Sequence, residues 1–193
     1  MVALAFLGLV GTLLLTPGPT NTLLAMAGAQ QGLRRSWPLI PAEALGYVLA
    51  ISVWGWLLSH LLDQLPWAVR VLRLLCALYL IRVALRLWRS PPLQSADRLS
   101  PAVLLLTTLF NPKAFLFASL IFPAACWQDT GVYLAHLGAF LGLLGPIALL
   151  WISVGTLLER LSGRHLGPSA IPRTASVVLV GFAGWMLLAA LRG

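Results

Sequence analysis

Thr16-Pro17-Gly18-Pro19-Thr20-Asn21 interrupts a hydrophobic run that is otherwise long enough to cross a membrane. Pro17 and Pro19 each lack a backbone N–H and disrupt the turn before them, and Gly18 permits a sharp bend, so the run reads as two half-helices. Asn111-Pro112-Lys113 interrupts a second run in the same way. A backbone break in lipid is expensive, because the freed N–H and C=O groups find no water there; it is kept where it is buried in protein or lines a cavity. The two breaks occupy corresponding places in the two halves of the chain, and paired interruptions of this kind point to a transport site.

Composition sets the class. The 193 residues are 60% hydrophobic and 9% charged, with a mean hydropathy of +0.92, whereas soluble domains carry roughly 25% charged residues. The chain therefore reads as an all-α integral membrane protein, with the lipid bilayer as its surroundings. A formal charge of +8 raises the question of nucleic acid, but the 13 Lys and Arg are spread over short segments between apolar runs, a pattern of membrane topology. Cys76 and Cys126 lie inside apolar stretches with no ligand-like spacing to each other or to a histidine, so neither a disulfide, a metal nor another cofactor is expected.

Apolar segments long enough to span about 30 Å of hydrocarbon, roughly 20 helical residues each, fall near 2–30, 38–62, 67–88, 101–125, 131–158 and 172–191. Their starts are marked by proline: Pro38 and Pro41 for the second, Pro66 for the third, Pro101 behind a Ser100 cap for the fourth, Pro172 for the sixth. The runs are too long and too little alternating to be strands. Ala27-Gly28-Ala29 after a hydrophobic start resembles a signal-peptide cleavage site, but no Lys or Arg precedes the run and the double-proline break would interrupt it. The segment is read as retained in the membrane.

Charge sets the orientation. The first, third and fifth loops with their flanks hold Arg34, Arg35, Arg82, Arg86, Arg89, Arg98, Arg160, Arg164 and Arg173, against Arg70, Arg73 and Arg192 on the opposite face. The positive-inside rule places those three loops in the cytoplasm and both termini outside. With three spans per half, the second half is then inverted relative to the first. The expected fold is one transmembrane domain over 1–193, built as two inverted three-helix repeats of about 1–90 and 100–193, with helices 1 and 4 broken. Ser90 to Ser100, with Pro91 and Pro92, is the natural boundary.

The breaks carry the chemistry. Thr20 or Asn21 is placed to cap the second half-helix, whose N-terminal N–H groups and positive dipole end then face an anionic group such as a carboxylate. Asn111 is placed as N-cap with Pro112 as the first helical residue, about eleven residues or roughly 17 Å beyond Pro101 and so close to the midplane. Lys113 costs some 2.5 kcal/mol or more there, and intramembrane charges face a cavity or a partner. It reads as a contact for a substrate carboxylate or a gate paired with an acid; the plain alternative is a lysine that snorkels or neutralises Glu43. Glu43, about five residues beyond Pro38, is the only carboxylate well inside a span. It reads as a seat for a substrate ammonium or the carrier of a coupling proton, or else as an interfacial acid near Arg34 or Arg35.

Other features read as structural. His136 among Leu, Ala and Gly is a packed residue or a member of a proton relay. Asp63 and Asp129 sit beside turns and read as solvated. Gly138 and Gly142 form a small-xxx-small face for helix packing, and Gly145-Pro146 should kink the fifth helix. Trp37, Trp67, Trp88 and Trp127 near span ends read as an aromatic belt.

Thr16-Pro17-Gly18-Pro19 with Asn21, followed by Gly32, Gly46, Tyr79-Leu80 and Asn111-Pro112-Lys113-Ala114, together resemble the lysine and threonine exporter family of LysE/RhtB type. The resemblance implies a bacterial inner-membrane exporter of amino acids or similar small metabolites, driven by the proton motive force and working as a homo-oligomer. It also implies that Thr16, Pro17, Gly18, Pro19, Thr20, Asn21, Asn111, Pro112 and Lys113 line the translocation path. One intramembrane cation and one acid match a zwitterion. Enzyme chemistry is not expected, since HExxH, GxSxG, paired-carboxylate and clustered-histidine motifs are missing from the sequence. A channel or a non-transporting membrane scaffold stays open as the alternative, because broken helices serve channels too.

Overall fold

A computed structural model describes residues 2–60, 66–89, 99–162 and 170–192, and every regular element among them is helical. The proposed boundary between the halves, apart from Leu99 and Ser100, lies outside the described residues, as do Asp63, Arg98 and Arg164. In chain order the helices are α1 (Leu4–Leu15), α2 (Pro19–Gln31), a short α3 (Leu33–Ser36), α4 (Leu39–His60), α5 (Pro66–Arg89), α6 (Pro101–Leu109), α7 (Pro112–Leu116), α8 (Thr130–Ser162) and α9 (Ala170–Arg192). A π-helical turn, Phe117–Ile121, extends α7, and a 3-10 turn, Ala124–Trp127, leads into α8.

Both breaks fall where the prolines place them. α1 ends at Leu15 because Thr16, forced out of the helical region by Pro17, is extended at φ −63°, ψ 134°. α2 restarts at Pro19, bent by 57° from α1, and α6 and the α7 segment Pro112–Ile121 bend by 43°. Ser100 caps α6 by accepting from the Ala102 N–H at 3.3 Å. Gly32, with φ +75°, closes α2 in a conformation that side chains resist. The bend expected at Gly18 is present, but it does not use glycine's conformational freedom: at φ −168°, ψ 177° Gly18 is plain extended backbone. What it supplies is space, since a Cβ there would lie 2.7 Å from the Cε of Lys113.

Two helices, α4 and α8, are each long and apolar enough to cross a membrane, and the count rises to four if each bent pair is one span. The third and sixth expected segments are also helical, as α5 and α9, but neither meets that criterion among the described residues. α5 carries Arg70, Arg73, Arg82, Arg86 and Arg89 in 24 residues. These two helices pack along one another through Leu80, Val83, Ala84, Leu179 and Ala183, with the Ser176 hydroxyl on the Ala84 carbonyl at 2.7 Å. Outward faces carry leucine and valine, as at Leu4, Val53, Leu120, Leu134 and Leu161, the reverse of a helix that faces water. The chain is a multi-pass membrane protein.

Packing crosses between the halves. The first broken pair lies against α8 and the second against α4. At the first contact a Cβ on Gly28 would run into the Ile152 carbonyl, and one on Gly155 into the Ala25 carbonyl, so backbone meets backbone. The Thr156 hydroxyl donates to the Gly28 carbonyl at 3.0 Å. At the second contact Gly46 plays the same part, against Thr108 and the Leu105 carbonyl. These positions, and not Gly138 and Gly142, hold the small-residue packing: the latter two lie on an exposed face of α8 with nothing within 4 Å of an added Cβ. α8 runs through Pro146 as one helix of 33 residues. Between α1, α4, the π turn and α8 lies an aromatic core of Phe6, Tyr47, Trp54, Phe117, Phe122 and Phe140.

Candidate functional site

The two breaks meet. Lys113, the second residue of α7, sends its side chain across to the first break, where its ammonium donates to the Thr16 backbone carbonyl. That carbonyl stands at the C-terminal, negative end of α1, where a cation is favoured. The Asn21 amide approaches from α2 and donates to the Leu14 carbonyl at 2.7 Å and to the Thr16 carbonyl at 2.9 Å. The Leu14 and Thr16 carbonyls, freed because the helix stops at Leu15, are thus satisfied by side chains from both sides of the fold, which offsets part of the cost of a break in lipid.

A second set of bonds joins the halves one layer deeper. The Asn111 side chain caps α7, its oxygen accepting the Lys113 N–H at 3.0 Å as the Asn-Pro pair predicts. Its amide donates to the hydroxyls of Thr20 and Tyr47, each at 3.2 Å, and those two hydroxyls lie 3.5 Å apart. Thr20 and Asn21 therefore do not cap α2, as their position suggests; Gly18 stands at the N-cap with no side-chain bond. Thr20 serves the junction with Asn111, and Asn21 serves the end of α1. Tyr47, fully buried, is the participant that sequence reading missed. Its signal was its place one turn beyond Glu43, four residues apart on the same face of α4.

Glu43 is 1% exposed, and both carboxyl oxygens are buried without a well-formed hydrogen bond. The Thr20 hydroxyl and the Lys113 ammonium are the polar groups that act on it. It is therefore an internal acid, not one solvated beside Arg34 or Arg35, both of which are exposed. An unsatisfied buried carboxyl is costly.

Beside the Lys113 contact lies a cavity of about 410 Å³, walled by Thr16, Pro112 and Lys113, by Leu13 and Leu116, and on the far side by Val178, Gly181 and Phe182 of α9. Gly18, Pro19, Thr20, Asn21 and Asn111 are buried behind this lining, and Pro17 is exposed away from it. His136 stays apart: its Nδ1 pairs with the Val132 carbonyl at 2.8 Å and its ring packs edge-on against Phe6 at 4.8 Å. Trp37, Trp67 and Trp88 are exposed, as a belt requires, while Trp127 packs inward on Gly55 and stacks with Phe122.

The arrangement brings one cation and the Thr16 carbonyl to a space at the junction of two broken helices, with the Leu14 carbonyl and one internal acid, Glu43, buried outside its lining. Residues 11–190 match the family model described as LysE type translocator. No curated protein and no solved structure matches the chain significantly. The chain belongs to the LysE type translocator family, membrane transporters of amino acids or related compounds.

Proposed function

We propose that the protein is a secondary active exporter of amino acids in a bacterial inner membrane, coupled to protons. The observation that carries this reading is the junction of the two breaks: Lys113 on the Thr16 carbonyl and Asn111 on Thr20, beside a cavity and an internal acid. A zwitterionic substrate finds its partners there. Its carboxylate meets the Lys113 ammonium and the N-terminal end of α2, and its amino group meets the Thr16 and Leu14 carbonyls. Glu43, with neither oxygen hydrogen-bonded, takes up the proton that resets the cycle.

Six spans in two inverted three-helix repeats fit the crossing of each broken pair onto the second long helix of the other half, with α5 and α9 side by side. In that arrangement the arginine-rich loops one, three and five face the cytoplasm and the termini lie outside. Rocking of one repeat against the other then opens the cavity to each side in turn.

Counterflow in proteoliposomes tests the reading, using a panel of labelled amino acids with and without an inward proton gradient. Saturable exchange accelerated by the gradient is the expected result. Flux that ignores the gradient and does not saturate would make the protein a channel, and no exchange across the panel would point away from amino acids, to another small metabolite, a channel or a scaffold.

A further inference from the structure

The cavity beside Lys113 is polar at one end only. Thr16 and Lys113 supply the acceptor and the cation that a zwitterionic head requires, whereas Leu13, Leu116, Val178 and Phe182 supply hydrocarbon. Among the described lining residues there is no carboxylate, and Glu43 is not on the lining. At about 410 Å³ the space falls within the range of small-molecule pockets, roughly 300–1,000 Å³. That volume is room enough for an amino acid with its side chain.

We infer that the exported substrate is an amino acid with an apolar side chain of leucine, methionine or phenylalanine size, seated with that side chain against α9, and that Gly181 sets the size limit. The inference rests on the exporter reading above and specifies its substrate. A lysine or arginine substrate would bring a second cation into the space that holds Lys113, with no acid on the described wall to pair with it. Glutamate would bring two carboxylates to one ammonium. Threonine would bury a hydroxyl against leucine, valine and phenylalanine with no partner in reach. An apolar side chain meets none of these penalties, and each added methylene that finds contact with the apolar wall strengthens binding.

Gly181 makes the assignment testable without disturbing the fold. Gly181 lies on the cavity wall and an added Cβ there meets nothing within 4 Å, so a larger side chain at this position displaces no neighbour.

The experiment is counterflow of labelled leucine by the full-length protein in proteoliposomes, competed by unlabelled methionine, phenylalanine, alanine, lysine, glutamate or threonine at equal concentration. Methionine and phenylalanine are expected to compete as leucine does, and lysine, glutamate and threonine at least about tenfold more weakly. Gly181→Leu is expected to weaken phenylalanine by about tenfold or more while sparing alanine, and Gly181→Ala to shift the ranking in the same direction by less. Lysine, glutamate or threonine competing as well as leucine would overturn the inference and leave the exporter reading standing. An unchanged size ranking in both Gly181 variants would remove α9 as the side-chain seat. Failure of every amino acid to exchange would overturn the exporter reading, and this inference with it.

Discussion

Lys113 and Thr16 stand 97 residues apart in the chain, yet the lysine ammonium ends on the threonine carbonyl. The side chain that follows one break is thereby spent on the backbone exposed by the other. A primary ammonium already sits where the substrate's own amino group is proposed to bind, and on that proposal an arriving substrate would displace it and free it for the carboxylate.

Lys113→Ala should therefore abolish export and lower the melting temperature of the purified protein. A hydrogen bond from a charged donor contributes roughly 1.5–3 kcal/mol. Propylammonium, small enough for the vacated seat, should restore part of that stability in the variant and none in the wild type; propionate should not. Thermal unfolding in detergent with each salt reads the difference. Equal responses to the two salts would deny that the Thr16 carbonyl is an ammonium seat.

Asn111→Ala should destabilise the protein by roughly 2–3 kcal/mol, because it removes the cap of α7 and the amide that donates to two buried hydroxyls. Tyr47→Phe, which deletes one acceptor, should cost about 1 kcal/mol. Since both act on one network, the double variant should fall short of the sum. A melting-temperature cycle over the four proteins checks this, and strict additivity would separate the two residues.

Gly28→Ala and Gly155→Ala each force a methyl into a backbone carbonyl of the facing helix, which has no rotamer with which to yield. A loss of about 3 kcal/mol is expected from each, at the upper end for overpacking. Gly138→Ala and Gly142→Ala, on an open face, should change stability by no more than about 0.5 kcal/mol. The reverse ranking in unfolding experiments would mean that α2 and α8 do not meet as described.

Glu43→Gln keeps the shape of the buried acid and removes its ability to exchange a proton. Exchange of substrate without a gradient should survive in this variant. Acceleration by an inward proton gradient, present in the wild type, should vanish. Wild-type acceleration in the variant would move the coupling site elsewhere.

Much of this was legible in the residues. The prolines announced both breaks, Asn111-Pro112 announced a helix start with its cap, and the apolar runs gave every long helix to within a few residues. Misreadings came where a side chain's partner lies far off in sequence. Thr20 and Asn21 look like caps because capping is local, whereas their actual partners are Asn111 and Tyr47 for one and the end of α1 for the other. Gly18 reads as the residue whose freedom permits the bend, yet its backbone is ordinary and the lysine beside it explains the missing Cβ. Gly138 and Gly142 have the spacing of a packing face, but spacing alone does not say which face of α8 meets α2.

The contact between α2 and α8 also bears on how the protein is made. Gly28 offers its carbonyl to Thr156, which leaves the ribosome 128 residues later. Until then the newly inserted first half holds an open groove against lipid, because the helix whose Ile152 and Gly155 fill it has yet to be synthesised. Chains truncated before α8 should thus be substrates for membrane quality control, since the surface of α2 that meets α8 has no other partner of that fit in the first half.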